Sequence, residues 1–586
     1  MNQRLEKIAS ILSLLALLTA PALAQQTSDA VAPEAPSEVT SRQPVKARKH
    51  MVVAANPIAT EAGLAVLRAG GNAADALVAV QTVLGLVEPQ SSGLGGGAFL
   101  VWYDAQTGAV TTFDGRETAP ASATPDLFVG PDGKPLGFFE AVVGGRSVGV
   151  PGVPRLLETV HGKYGKLDWA GLLEPAIDLA QDGFAVSPRL HELIAQDTGR
   201  LDTQPAARAY FYGSDGAPRA VGTKLRNPDY AETLRSMQAG GANALYTGPI
   251  AEKIIAAVTG HAVNPGGLTV DDLAGYTVKE RAAVCAPYRG LSVCGMGPPS
   301  SGALTIGQIL GMVEPFDLAK LGPDDPESWR IIGDATRLAF ADRDRYMADS
   351  DFMPVPKGLL DPGYLKSRSA LIRRPTALPD DAVTPGEPPW DKAELRVDGT
   401  SFDMPSTSHF TIVDDAGNVL SITSSVENAF GSRQMVAGFL LNNQLTDFAF
   451  SPDKDGAAVA NRVEAGKRPR SSMSPTIVLS NGKPLYGLGS PGGSSIIPYV
   501  ANTLIALIDW RLDMQAAIAL PHMLNRFGTY ELEAATSAER FAPDLEALGY
   551  KTKINDLNSG LHGIAITPDG LIGGADPRRE GLAAGD

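Results

Sequence analysis

The chain has 586 residues, 44% of them apolar and 20% charged, with a formal net charge of −15. That is enough apolar material for a large core. The acidic balance excludes a nucleic-acid partner, because phosphate backbones are held by clustered Lys and Arg.

Arg4 and Lys7 give a positive start, residues 8–20 are apolar, and Ala22-Leu23-Ala24 supplies a small-x-small cleavage pattern. Residues 1–24 therefore read as a cleavable signal peptide, with a periplasmic or secreted product. The run is short for a span of about 20 residues, and no later segment is long and apolar enough to cross a bilayer. Residues 25–48, rich in Pro, Ala, Ser, Thr and Gln, are expected to be a disordered leader.

Residues 51–55 read as a buried strand and residues 60–69 as a helix stopped by Gly70-Gly71. Asn72 can cap a second helix that runs to about Val87. The loop Ser92-Gly93-Leu94-Gly95-Gly96-Gly97 leads into a strand over 98–103. Gly93, Gly95 and Ala98 have the spacing of a dinucleotide fingerprint, but that motif needs strand, loop, helix, and here the order is helix, loop, strand. These glycines suit close backbone packing or a pocket floor.

Residues 150–400 alternate helical segments, such as 169–182 and 329–349, with Pro/Gly-rich connections. Cys285 and Cys294 flank what looks like two short strands around a turn at residues 287–290. An oxidising compartment allows a cross-hairpin disulfide, and two separate buried thiols fit equally well. Residues 351–406 are rich in Pro, Asp and Ser and are expected to be a long loop or linker. From His409 the pattern changes to a hairpin, residues 409–413 and 419–423 around the turn 414–418.

The seven histidines are scattered and none forms a helix-spaced zinc pair. No credible Ser-His-Asp set can be assembled from them. Hydroxyls do cluster at Ser401, Ser406, Thr407 and Ser408, where spacing alone favours ordinary turn chemistry. A hydroxyl needs an adjacent base to act as a nucleophile. An N-terminal Thr carries one in its own α-amine, with a reference pKa near 8, but only after the preceding peptide bond is cut.

The string Pro405-Ser406-Thr407-Ser408-His409-Phe410, with the Asp-x-x-Gly-Asn turn that follows, resembles the processing site of the γ-glutamyltransferases, a family of N-terminal-nucleophile hydrolases. The similarity extends over nearly all of the mature chain. It runs through Gly70-Gly71-Asn72-Ala73-Ala74-Asp75-Ala76, the Ser92–Gly97 loop, Gly149-Val150-Pro151-Gly152 and Pro298-Pro299-Ser300-Ser301-Gly302. It continues through Leu441-Asn442-Asn443-Gln444, Lys467-Arg468-Pro469, Ser471-Ser472-Met473-Ser474-Pro475, Gly489-Ser490-Pro491-Gly492-Gly493 and Asp576-Pro577-Arg578. Each string alone is weak; all of them in order are specific.

The resemblance implies an α/β (α+β) fold, a four-layer αββα sandwich built by a large subunit (49–406) and a small one (407–586) that pair as a heterodimer. It implies self-cleavage at Ser406–Thr407, with Thr407 as nucleophile, Ser425 where a second Thr usually supports it, and Gly492 and Gly493 as the oxyanion hole. Arg116, Ser471 and Ser472 match the residues that grip the substrate α-carboxylate. Gln444 and Asp447 match those that bind its α-ammonium. No metal or organic cofactor is implied, and the substrates are γ-glutamyl peptides such as glutathione, with water or an amine as acceptor.

Two departures stand out. Glu427 replaces an Asn of well-known bacterial members, adding negative charge near the glutamyl group. The segment 451–466 looks short for a lid and has no Tyr to close over the site. The rival readings are a glutaryl or cephalosporin acylase on the same scaffold and a non-catalytic periplasmic peptide-binding protein.

Overall fold

The computed structural model describes residues 40–389, 397–399 and 406–586. The expected signal peptide, the leader up to residue 39, and Ser401 lie outside the described residues.

Two seven-stranded antiparallel sheets form the centre. The first runs Leu582–Gly585, Met51–Ala54, Ser408–Val413, Val419–Ser425, Gly97–Tyr103, Val110–Gly115 and Lys279–Ala282. The second runs Val45–Ala47, Gly570–Ala575, His562–Thr567, Lys483–Gly489, Thr476–Ser480, Leu291–Gly295 and Val284–Tyr288. Strand pleating sends alternate side chains to opposite faces. Val52, Ala54, Phe410, Ile412, Leu420 and Ile422 therefore join a core shared with the helices Pro57–Arg68, Ala73–Val87 and Trp169–Asp182. Met51, Val53, Val413 and Val419 point the other way, into a core shared with Ile477, Leu479, Ile564 and Leu571 of the second sheet. The second sheet's outer residues Val478 and Leu488 pack under the helices Gly302–Val313, Pro326–Tyr346 and Ile496–Ile508. Three apolar layers between four structural layers make an αββα sandwich.

Both faces of the central strands are covered, which explains their nearly unbroken apolar runs. The helix Ala73–Val87 is buried at every position and starts on the expected Asn72, which forms a capping box with Asp75. Ala73 N donates to Asp414 Oδ2 at 3.0 Å. The Asp414 turn of the nucleophile hairpin is thus tied to a helix more than 300 residues earlier.

The structure corrects three boundary expectations. The first helix starts at Pro57 on an Asn56 cap; an Asn-Pro pair is itself a start signal, because proline at the first position loses no hydrogen bond. The stretch 351–406 is not a plain linker, since it contains the helix Pro362–Ile372, opened by Asp361, whose side chain accepts from Tyr364 N. The leader expected over 25–48 ends earlier, because Val45–Ala47 pair with Gly570–Ala575 as an edge strand.

Cys285 and Cys294 sit directly opposite one another in adjacent strands and form a disulfide. The connecting turn places Arg289 and Gly290 at positive φ, the geometry of a tight hairpin.

Between the sheets lie two buried imidazoles. His409 contacts Thr423 Oγ1 at 2.9 Å and Thr411 Oγ1 at 3.1 Å. Its ring, and the Thr411 methyl, fill the space left by Gly489 and Gly487 of the facing strand. Both nitrogens of His562 are buried without a hydrogen-bond partner among the described residues. Burial pushes the His562 imidazole down to about 3 and His409 well below its usual range. An unfolded imidazole takes a proton below about pH 6.5 that the folded His562 refuses, so its contribution is intact above that pH and is lost towards pH 3. Between pH 7 and pH 5 the stability loss in chemical denaturation is expected to be about 2 kcal/mol smaller for His562→Gln than for wild type. Identical pH dependence in the two proteins contradicts this.

Candidate active site

Thr407 immediately precedes the strand Ser408–Val413, third of seven in its sheet, and so stands at the sheet's centre. The neighbouring strand ends at Ser425, with Ser408 opposite Ser424. That register places Ser425 beside Thr407. Thr407 Oγ1 lies 2.6 Å from the Ser406 carbonyl oxygen and 3.3 Å from Ser425 Oγ. Ser425 Oγ accepts from Glu427 N at 2.8 Å and donates to the same Ser406 oxygen at 2.8 Å. The carbonyl before the nucleophile is thus polarised by a hydroxyl whose own orientation is fixed by a backbone N–H.

The surroundings hold this junction in place. Ser406 Oγ donates to Gln90 O at 2.7 Å, and Ser408 Oγ donates to Glu88 Oε2 at 2.9 Å. Arg579 Nη1 donates to Thr407 O at 3.2 Å. The glycine loop expected to be a pocket floor packs here, with no room for a side chain at Gly96 against the Ser425 carbonyl or at Gly95 against Leu440.

One cavity is lined by Thr407, Ser425, Glu427, Gln444, Asp447, Arg116, Ser471, Ser472 and Gly493, together with Met473 and Ile496. Gly492 is set back beside Gly493. Its φ is +131°, and an added Cβ would meet Tyr499 Cε2 at 2.8 Å, so only glycine fits. Gly493 opens a 3-10 turn that runs straight into the helix Ile496–Ile508. A helix start gathers N–H groups and partial positive charge, which suits a developing oxyanion.

Arg116 follows the strand Val110–Gly115 and is completely buried. Nη2 donates to Asp447 Oδ2 at 2.5 Å and to Arg470 O at 3.0 Å, and Nε donates to Pro469 O at 3.2 Å. Gln444 Nε2 donates to the same Asp447 oxygen at 2.7 Å. Glu117 lies 3.8 Å from Arg116 Nη1, yet neither of its buried oxygens has a hydrogen-bond partner among the described residues. Burial pushes its carboxyl up to about 8, against the pull of Arg116. Asp447, which Arg116 reaches directly, is its closest carboxylate partner.

Glu427 adopts φ +79°, a left-handed conformation that costs a non-glycine residue about 1 kcal/mol or more. Asn443 Nδ2 donates to its Oε2 and also to Thr446 Oγ1 at 2.9 Å, so the carboxylate is aimed at the cavity by a neighbouring amide. The segment 451–466 carries a small exposed hairpin, Asp453–Lys454 with Ala457–Ala458.

Sequence reasoning missed the residues that tether this site: Gln90, Glu88, Asn443 and Arg579. Asn443 and the neighbours of Arg579 lay within the recognised strings, but their roles depend on contacts between distant chain segments.

A threonine at the head of a central strand of an αββα sandwich, facing a cavity of one arginine, two acids and three serines, fits an N-terminal-nucleophile hydrolase. The family model for gamma-glutamyltranspeptidase matches residues 59–586. The chain is 35% identical over 554 residues to a glutathione hydrolase proenzyme of Bacillus subtilis, covering 91% of each. To the glutathione hydrolase proenzyme of Escherichia coli it is 34% identical, covering 95% of this chain and 96% of that one. A cephalosporin acylase from Bacillus halodurans superposes with a TM-score of 0.80 at 26% identity, over 93% of this chain and 97% of that one. The chain belongs to the gamma-glutamyltranspeptidase family.

Among the described residues, no helix is long and apolar enough to cross a membrane.

Proposed function

We propose that this chain is a precursor that cuts its own Ser406–Thr407 bond and then hydrolyses or transfers γ-glutamyl groups from amides such as glutathione. The observation that carries the reading is the convergence of Thr407, Ser425, Arg116, Asp447 and the serine pair on one cavity.

In the precursor, Thr407 Oγ1 attacks the Ser406 carbonyl carbon, and charge develops on an oxygen already facing Ser425 Oγ. Collapse expels the Thr407 nitrogen and leaves an ester between Ser406 and the Thr407 side chain. Water cleaves that ester, giving a large chain ending at Ser406 and a small chain beginning at Thr407. The liberated α-amine then serves as base for the same hydroxyl. In turnover, Thr407 attacks the γ-amide carbon, the amine leaves with a proton, and the acyl-enzyme passes to water or to an acceptor amine. The N–H groups of Gly492 and Gly493 hold the oxyanion.

Recognition follows from charge. The α-carboxylate and α-ammonium of a glutamyl group sit on one carbon, so their receptors must be neighbours. Arg116 and Asp447 are paired directly, Gln444 donates to Asp447, and Ser471, Ser472 and Glu427 line the same cavity. Arg116 Nε and Nη2 already donate to Pro469 O, Asp447 and Arg470 O, so Nη1 is the nitrogen that would reach the carboxylate.

The acylase reading keeps one point in its favour, a segment 451–466 with no Tyr to close over the site, which would admit larger donors. A donor panel separates the two: γ-glutamyl p-nitroanilide is expected to be turned over far faster than its glutaryl counterpart, and the reverse order favours the acylase. Ser425→Ala removes the polarising hydroxyl. It is expected to slow precursor cleavage about 10- to 100-fold, in proportion to one lost donor at a developing oxyanion. Cleavage at the wild-type rate, followed on denaturing gels, removes Ser425 from the mechanism.

We also propose export through the signal peptide 1–24, and the pairing of residues 49–406 with 407–586 as large and small subunits.

A further inference from the structure

Behind the serine side of the cavity lies Arg343, a buried residue of the helix Pro326–Tyr346. Its Nη2 donates to Ser472 Oγ at 2.8 Å and its Nε donates to Ser301 Oγ at 3.0 Å. Ser301 in turn donates through its hydroxyl to Ser471 O at 2.8 Å, and its N–H reaches the same oxygen at 2.8 Å. One guanidinium therefore fixes the side chain of Ser472 directly and the backbone of Ser471 through a single hydroxyl. The helix is locked to the same wall by Arg470, whose Nη1 donates to Arg343 O at 3.0 Å and whose own carbonyl accepts from Arg116.

A serine hydroxyl has one proton and two lone pairs. When an N–H occupies its oxygen, its proton is directed to an acceptor. Ser472 Oγ receives Arg343, and Ser471 Oγ receives Met473 N at 3.1 Å. Each oxygen therefore already holds one N–H, and the Arg343 guanidinium that reaches Ser472 is itself paired with Asp344 through Nη1 at 3.0 Å.

We propose that Arg343 is a positioning residue for the substrate carboxylate, fixing the Ser472 hydroxyl directly and the Ser471 backbone through Ser301. The proposal rests on the assignment of the serine pair to the α-carboxylate. Lysine at this position keeps the charge but lacks the fork that reaches Ser472 and Ser301 together.

The test compares two donors on the processed enzyme: γ-glutamyl p-nitroanilide and 4-aminobutyryl p-nitroanilide, which is the same chain without the α-carboxylate. Arg343→Lys is expected to raise KM for the first about 10- to 100-fold, with kcat nearly unchanged, and to shift kcat/KM for the second by no more than about threefold. Equal losses on both donors, or no change on either, overturn the proposal by reducing Arg343 to a packing residue or a bystander. Ser301→Ala, which cuts only one arm of the fork, carries the same comparison if Arg343→Lys does not mature, with a smaller shift confined to the carboxylate donor. Ser472→Ala run alongside tests the underlying assignment: if it lowers both donors equally, the serine pair does not read the carboxylate, whatever Arg343 does.

Discussion

Thr407→Ala is expected to remain a single uncut chain with no measurable turnover of γ-glutamyl p-nitroanilide. Alanine offers no oxygen to the Ser406 carbonyl that Thr407 Oγ1 now faces at 2.6 Å. No ester forms, and the amine needed as base is never released. Loss of a nucleophile costs about 10⁴-fold or more in rate, and here the loss of processing compounds it. Thr407→Ser retains the hydroxyl and is expected to cleave itself and to turn over more slowly. Two chains from Thr407→Ala, or an uncut Thr407→Ser, would place the nucleophile elsewhere.

Arg116→Met carries the second large effect. The substitution removes the guanidinium proposed to hold the α-carboxylate and takes from Asp447 a 2.5 Å ion pair in a buried site, while Gln444 Nε2 still donates to it. Removing one member of a buried charge pair costs about 2–5 kcal/mol. A kcat/KM for γ-glutamyl donors lower by roughly 30-fold to several thousandfold is expected. Part of that cost is a buried Asp447 carboxylate that has lost its Arg116 partner. Arg116→Met combined with Asp447→Asn is therefore expected to regain thermal stability without regaining donor affinity. Full activity in the single variant would remove Arg116 from substrate recognition.

Much of the architecture was legible because local chemistry and global fold agree. The Asn72 cap, the helix from Ala73 to Val87 and the hairpin around Asp414 all appear where the sequence pattern places them. The helix Pro362–Ile372 was hidden because its one buried face mixes Tyr364, Leu365 and Ile372 with Arg368 and Ser369 and so shows no apolar stripe, and a Pro-rich composition outweighed the Asp361-Pro362 start signal. The leader's last residues were misread for a related reason. Val45–Ala47 gain their partner from Gly570–Ala575, more than 500 positions away, and no local pattern announces such a pairing.

The candidate site divides in the same way. Thr407, Arg116 and the serine pair were found through strings that resemble a known family, and the cavity brings them together. Spacing alone gave no reason to prefer Thr407 over any loop hydroxyl. Asn443 on Glu427, Arg579 on the Thr407 carbonyl and Arg343 on Ser472 act across the fold. They became visible only with the distances. The cysteines needed the structure as well, because the register of two strands decides whether sulfurs meet.

The most direct measurement is N-terminal sequencing of the smaller fragment from purified wild-type protein. The account predicts a sequence beginning Thr-Ser-His-Phe, with the new amine on Thr407. A mature protein that stays one continuous polypeptide while turning over γ-glutamyl amides would contradict it.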